Sequence, residues 1–150
     1  MIDIGFYQIA SRRAEAVLTP LVAKALAAGH RLLVRSLDAA LLALIDDALW
    51  QSPPESFIPH GVDRAVGDRA ATQPVLLSLD AHWRINSADC LAQIGDDLPG
   101  DLAGLTRVLF LFDADGVPTA RARWRYLAGS AAFRPVYWRE AEGGRFEKAG

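Results

Sequence analysis

Short apolar runs, separated by segments with helical spacing, are the feature of this sequence that most restricts its fold. The clearest run is Val-Leu-Phe-Leu-Phe at residues 108–112, and others occupy residues 2–9, 32–34, 75–77 and 136–138. A strand that is apolar at every position is buried on both faces, as in parallel sheets covered by helices. The pattern predicts a three-layer α/β domain with a mainly parallel sheet of about five strands, and a single domain over the 150 residues.

Two segments before residue 51 have the 3.6-residue period of covering helices. Residues 14–28 carry an apolar stripe, and Pro20 either follows a new start at Thr19 or kinks the helix there. The stripe consists of Val17, Leu18, Leu21, Val22, Ala25 and Leu26. A second helix is expected to begin after Ser36 and to end near Trp50. Its predicted inner face consists of Leu37, Leu41, Leu44, Ile45 and Ala48.

The later part of the chain is less regular. Pro118 is expected to open a helix that reaches Ala128, because proline is favoured in the first turn. Residues 51–73 contain three prolines and no clear period, which predicts a long ordered loop. Loops of that length in compact domains are usually functional. Residues 80–105 give the weakest pattern, and a short helix at residues 88–94 is the expectation there.

Charge is unevenly distributed along the chain. Residues 1–115 carry nine basic and fifteen acidic side chains, a net of −6, whereas residues 116–139 carry five arginines and no acid. An acidic body disfavours general binding to nucleic acid, and the arginine-rich segment predicts a local anion site. Arginine suits forked binding of carboxylates and phosphates better than lysine does.

Several classes of protein are disfavoured by what the sequence contains. The chain has one cysteine, Cys90, so an internal disulfide is ruled out and a buried thiol is expected. Neither a membrane-spanning run nor a signal peptide is recognisable, which predicts a cytoplasmic protein without membrane contact. The first strand is followed by Gln-Ile-Ala-Ser-Arg-Arg, which lacks a phosphate-binding glycine pattern. The three histidines are scattered. No nucleotide site, cofactor or metal is therefore expected.

One enzymatic alternative stays open. Asp80 and Asp113 each follow an apolar strand, and Asp115 lies two residues later. Carboxylates at the carboxyl ends of parallel strands can hold magnesium for phosphoryl transfer. The segment Asp-Ala-Asp-Gly is also a common turn composition, and the turn interpretation is favoured.

Two segments combine aromatic side chains with a feature suited to binding. Residues 49–61 present Trp50, Phe57 and Ile58 in a loop stiffened by prolines, which suits either a partner contact or a cap over the core. On a helix at residues 118–127, Arg121, Trp124 and Arg125 fall on one face by i, i+3, i+4 spacing. That face can receive a peptide that carries an aromatic side chain and carboxylates, although a core tryptophan with solvated arginines gives the same spacing.

Residues 48–60 match the pattern Ala-Leu-Trp, five residues, then Ser-Phe-[Ile/Val]-Pro-His. This motif, together with Arg-Ala-Arg-Trp-Arg-Tyr at residues 121–126, resembles the chi subunit family of bacterial DNA polymerase III. The resemblance implies a Rossmann-like α/β domain without nucleotide. It also implies a non-catalytic accessory subunit of the clamp-loader complex, which binds the acidic, phenylalanine-ended C-terminal tail of single-stranded-DNA-binding protein.

The resemblance also implies roles for individual residues. Arg121, Trp124 and Arg125 are expected to bind the tail of single-stranded-DNA-binding protein. A second surface, for the psi subunit or a helicase-like protein, is expected at Trp50, Phe57, Ile58, Pro59 and His60. Contact with DNA is expected to be indirect or weak, and a generic peptide-binding domain is the remaining alternative.

Overall fold

The computed structural model describes residues 1–10, 13–51, 58–62, 71–79, 86–142 and 145–149. These residues form one eight-stranded sheet, flanked by helices α1 (Ala14–Ala27), α2 (Ala39–Trp50) and α3 (Val117–Ala128). The strands are β1 (Ile2–Gln8), β2 (Leu32–Arg35), β3 (Gly61–Val62), β4 (Val75–Ser78), β5 (Cys90–Ile94), β6 (Arg107–Phe112), β7 (Phe133–Glu140) and β8 (Phe146–Lys148). None of the helices in the described residues is long and apolar enough to cross a membrane.

The sheet confirms the predicted α/β class but is larger than expected. Its strand order is β3-β4-β2-β5-β6-β1-β7-β8, and all neighbours are parallel except β7 and β8. The five predicted strands correspond to β1, β2, β4, β6 and β7. Strands β3 and β8 were not expected, because two or three residues give no readable period. Strand β5 was not expected either, since the sequence predicts a helix for its five residues.

Helix α1 buries the predicted stripe, with Val17, Leu18, Val22 and Ala25 in the core. Pro20 lies inside this helix, which continues through it. Gly29 ends the helix with φ of +91°, a conformation that a side chain would strain. The N–H groups of Gly29 and His30 bond the carbonyls of Leu26 and Ala25, so the last turn is closed by a glycine C-cap motif.

Helix α2 lies in the predicted place but shows a different face to the core. Leu42, Ile45 and Leu49 are buried, whereas Leu37 and Leu44 are exposed. The helix is apolar almost all round, so its sequence does not define one stripe. The N-cap is Asp38, whose carboxylate accepts the N–H groups of Ala40 and Leu41, and Ser36 instead accepts the N–H of Asp38.

Residues 90–94 form strand β5, so the helix expected at residues 88–94 was wrong. All five residues are buried, including Gln93. Its side-chain oxygen accepts a hydrogen bond of 2.7 Å from Arg35, and its amide donates to the carbonyl of Gly95. Because these bonds satisfy the amide, a polar residue can occupy the centre of the sheet.

The two faces of the sheet bury separate cores, with α1 and α2 on one face and α3 on the other. On the α3 face, Phe6 meets the rings of Phe110, Phe112 and Tyr137 at centroid distances of 5.7, 6.4 and 6.2 Å. This aromatic layer supports α3 and fixes its height above β1 and β7.

Candidate functional site

Helix α3 is positioned by three residues of one narrow face. Ala120 and Leu127 are buried against the sheet, and Trp124 between them is half-buried. Arg121 and Arg125 are exposed and lie to one side of Trp124. Proline in the first turn, at position 118, begins the helix as expected.

The Trp124 indole belongs to the aromatic layer and also reaches its surface. It meets Phe6 edge-on at 5.4 Å between centroids and Tyr137 at 5.9 Å. Edge-to-face contacts of this kind hold the ring in one orientation. The two alternatives drawn from the sequence therefore combine, because the indole is anchored in the core and still lines a cleft.

This cleft, called the arginine cleft below, has a volume of about 240 Å³. It is lined by Arg121, Trp124, Arg125, Tyr137, Arg139 and Ala149. The structure thus brings together all three residues predicted for this site. It adds Tyr137 and Arg139, which alternate on β7 and so face the same side of the sheet.

The three arginines of the cleft have no carboxylate partner among the described residues. Other arginines do: Arg123 binds Asp97 through two nitrogens, and Arg134 bonds Asp3 at 2.9 Å. Glu147 is opposite Arg139 in the β7–β8 register, but no ion pair joins them. The cleft therefore combines an aromatic floor with uncompensated positive charge.

Tyr137 lines the cleft from β7. Its hydroxyl donates a hydrogen bond of 2.6 Å to the Gln8 side-chain oxygen. Burial raises the pKa of Tyr137, while the neighbouring Arg121 and Arg139 guanidiniums oppose the rise. The hydroxyl therefore stays neutral at physiological pH and does not cancel the arginine charge.

The larger cavity of about 590 Å³ lies at the carboxyl ends of β1, β5 and β6, where α/β folds commonly bind ligands. Asp96, Asp113 and Asp115 line it. The Asp113 carboxylate accepts the N–H groups of Asp115 and Gly116, which is the capping role expected of a turn. Among the described residues no group of three potential ligands could hold a metal ion, and Asp80 lies outside them.

Four of the five residues predicted for the second surface are described. Trp50 has 60 % of its surface exposed, and Pro59 is also exposed. Ile58 and His60 are buried. Phe57 lies outside the described residues. Trp50 and Pro59 are therefore available for contact, and Ile58 and His60 support them from below.

His60 ties this segment to α2. Its Nε2 lies 2.8 Å from an Asp46 carboxylate oxygen, its Nδ1 lies 2.9 Å from the Ile58 carbonyl, and its side chain is fully buried. The Trp50 ring lies 4.8 Å from the imidazole. Nothing in the sequence indicated Asp46 as the partner of His60.

Cys90 is a buried thiol, as expected. Burial raises its pKa to about 12, so almost none of it is thiolate at neutral pH. A nucleophilic role for this residue has no support.

A comparison with known protein families identifies the family to which the chain belongs. The family model described as DNA polymerase III chi subunit, HolC, matches residues 1–132 of the 150. No curated protein matches the chain. The matched region contains both sequence motifs and includes α3 but stops before β7. The chain therefore belongs to the chi subunit family of DNA polymerase III, whose members are accessory, non-catalytic components of that enzyme.

Proposed function

We propose that this protein binds the acidic C-terminal tail of single-stranded-DNA-binding protein in the arginine cleft and links it, in the cytoplasm, to the clamp-loader complex. The observation that carries this proposal is the half-buried Trp124 indole beside three arginines that have no described carboxylate partner. Membership of the chi family supports the replication context. The proposed ligand is a chain end with an aromatic last residue and carboxylates.

The aromatic residue of the ligand would supply the apolar part of the binding energy. The cleft, at about 240 Å³, is smaller than a typical drug-sized pocket and suits one or two residues of a peptide. A phenylalanine side chain buried against Trp124 and Tyr137 contributes roughly 1.5–3 kcal/mol.

The carboxylates of the ligand would supply orientation and the rest of the affinity. Each charge-assisted bond to Arg121, Arg125 or Arg139 contributes about 1.5–3 kcal/mol before screening. Ordering a flexible tail offsets much of this gain. A net of about −7 to −8 kcal/mol, in the micromolar range, follows for one short peptide. Many such weak links along a coated strand would hold the polymerase near its template.

The test is a titration with an acidic peptide that ends in phenylalanine, compared with the same peptide lacking that residue. Tryptophan fluorescence reports binding, because Trp124 lines the cleft. The full peptide should bind at least tenfold more tightly, and its affinity should fall as salt is added. Equal affinity for both peptides would indicate a generic peptide-binding domain and would contradict the proposal.

A second partner would dock on the other side of the sheet. Trp50 and Pro59 are the exposed members of the predicted surface, and tryptophan is a frequent interface anchor. The psi subunit or a helicase-like protein is the proposed occupant. Contact with DNA would then pass mainly through the partners, since the body of the chain is acidic.

A further inference from the structure

A separate basic recess lies at the opposite end of the sheet from the acidic cavity. Its volume is about 250 Å³, and it is formed by the last turns of α1, the residues after it and the start of β6. Three basic side chains line it: Lys24, His30 and Arg107. The remaining lining residues are small or apolar: Leu21, Ala25, Ala28 and Leu109.

Two of the three basic side chains of this recess, Lys24 and Arg107, have no carboxylate bound to them within the part of the chain that the structure describes. Asp3, which lies opposite Arg107 in the β1–β6 register, is paired with Arg134. Asp89 is paired with His30. His30 uses Nδ1 to bond Asp89 at 2.9 Å, which leaves Nε2 outside that bond. Asp89 is itself engaged by the Arg31 N–H and the Thr106 hydroxyl, so its charge is shared among three donors.

Tyr7 is a neutral neighbour of Arg107. The Arg107 guanidinium lies beside the Tyr7 hydroxyl, and burial raises the pKa of Tyr7 while Arg107 opposes the rise. The hydroxyl therefore remains protonated at neutral pH and does not neutralise the guanidinium. The side chain of Arg107 keeps its other donors for a ligand.

The negative end of the α1 dipole is partly compensated at this recess. Free carbonyls at a helix C-terminus carry partial negative charge. Here the carbonyls of Lys24, Ala25 and Leu26 accept the N–H groups of Ala28, His30 and Gly29. Lys24 adds a full positive charge to the same turn.

We propose that this recess binds a compact phosphate group, in the form of inorganic phosphate or a small phosphomonoester. A guanidinium, an ammonium and an imidazole around a partly apolar floor suit an oxyanion of this kind. The recess shares no lining residue with the arginine cleft and does not include Trp50, and it does not depend on the function proposed for either surface.

The test uses inorganic phosphate as the probe, at constant ionic strength against chloride, with amide NMR shifts as the readout. Saturable shifts are expected at residues 24–31 and 107–109. Lys24→Gln and Arg107→Gln should each raise the Kd about tenfold, the loss of one charge-assisted bond. Lys148→Gln is the matched control, because it removes an exposed lysine of β8 that does not line the recess.

Two further measurements distinguish a phosphomonoester site from a site for a nucleic-acid backbone and from the arginine cleft. Glycerol phosphate should bind as inorganic phosphate does, whereas dimethyl phosphate, which mimics a nucleic-acid backbone, should bind much more weakly. Arg125→Ala should leave the shifts at residues 24–31 unchanged, which separates this recess from the arginine cleft. The proposal would be overturned by shifts that never saturate, by an equal loss of affinity with Lys148→Gln, or by binding of the diester alone.

Discussion

The Trp124 indole stands edge-on to the Phe6 ring, with centroids 5.4 Å apart and planes inclined by 73°. Phe6 is fully buried at the centre of β1, so the sheet itself fixes the floor of the arginine cleft. A ligand that stacks on this indole meets a surface that is already ordered. Little of its binding energy is then spent on arranging the receptor.

Replacing Arg125 tests the charge of the cleft. Arg125→Ala should weaken binding of the acidic, phenylalanine-ended peptide by about tenfold, since the loss of a charged partner costs about 1–3 kcal/mol. The side chain is exposed, so the melting temperature should not change. Peptide titration and thermal melting measure the two effects. Unchanged affinity in a folded variant would remove Arg125 from the site.

Arg139 provides a test on a different strand. Arg139→Ala should weaken the same peptide to a similar extent, because this guanidinium lines the cleft from β7. Arg134→Ala is the matched control, since it removes an exposed arginine of the same strand that faces the other side of the sheet. If the two variants bind alike, the wall formed by β7 plays no part in recognition.

Replacing Trp50 tests whether the two proposed surfaces act independently. Trp50→Ala should leave peptide affinity unchanged, because the indole lies on the α2 side and the cleft lies on the α3 side. Binding to the second partner should fall by about tenfold or more, as is usual for a tryptophan anchor. Pull-down of the psi subunit and peptide titration provide the two readouts. A loss of peptide affinity would contradict the two-surface arrangement.

Gly5 makes room for a neighbouring ring. A Cβ at this position would lie 2.6 Å from Cε2 of Tyr7, which is closer than van der Waals contact allows. Gly5→Ala should therefore lower the free energy of unfolding by about 1–3 kcal/mol. Gly100→Ala is the control, because no heavy atom lies within 4 Å of the added carbon. In the Tyr7→Leu background the penalty at Gly5 should shrink, and an unchanged penalty would point to another cause.

The lowered pKa of Asp89 predicts that the stability of the fold depends on pH. Burial raises the pKa of Asp89, but hydrogen bonds from His30, the Arg31 N–H and Thr106 outweigh it and set the pKa below the value of a free aspartate. Its contribution is present above about pH 4, the unfolded value, and is lost as the pH falls through the lower folded pKa. The side chain is 38 % exposed, so screening limits the contribution to about 1 kcal/mol or less.

Denaturant unfolding of wild type and Asp89→Asn between pH 7 and pH 2 measures this effect. The difference in stability between the two proteins should be largest at neutral pH and should narrow in acid. A constant difference across the range would show that the carboxylate charge does not contribute.

The sequence predicts the sheet class and the helix of the arginine cleft because both depend on local patterns. The run at residues 108–112 and the spacing of Arg121, Trp124 and Arg125 each lie within one element. Arg139 could not be found in this way. It reaches the cleft only because β7 is placed beside β1 under α3, a relationship of strand order that no period along the chain contains.

The predictions for residues 88–94 and for the inner face of α2 were wrong for related reasons. Gln93 looks like a surface residue, and only its long-range bond to Arg35 makes it suitable for a buried strand. In α2 nearly every residue is apolar, so the face that meets the sheet is decided by packing with α1 and β4. Both outcomes depend on neighbours that are distant in sequence.

The position of Tyr137 and Arg139 beyond residue 132 bears on how ligand preference can diversify among related proteins. One wall of the cleft, α3, lies within the region that matches the family model, and the other does not. A substitution of Arg139 on β7 can alter the charge of the cleft while Phe6, Phe110 and Phe112 beneath it stay as they are. The charge that a chain end meets in the cleft can thus change through β7 alone, without any change in α3 or in the rings that support it.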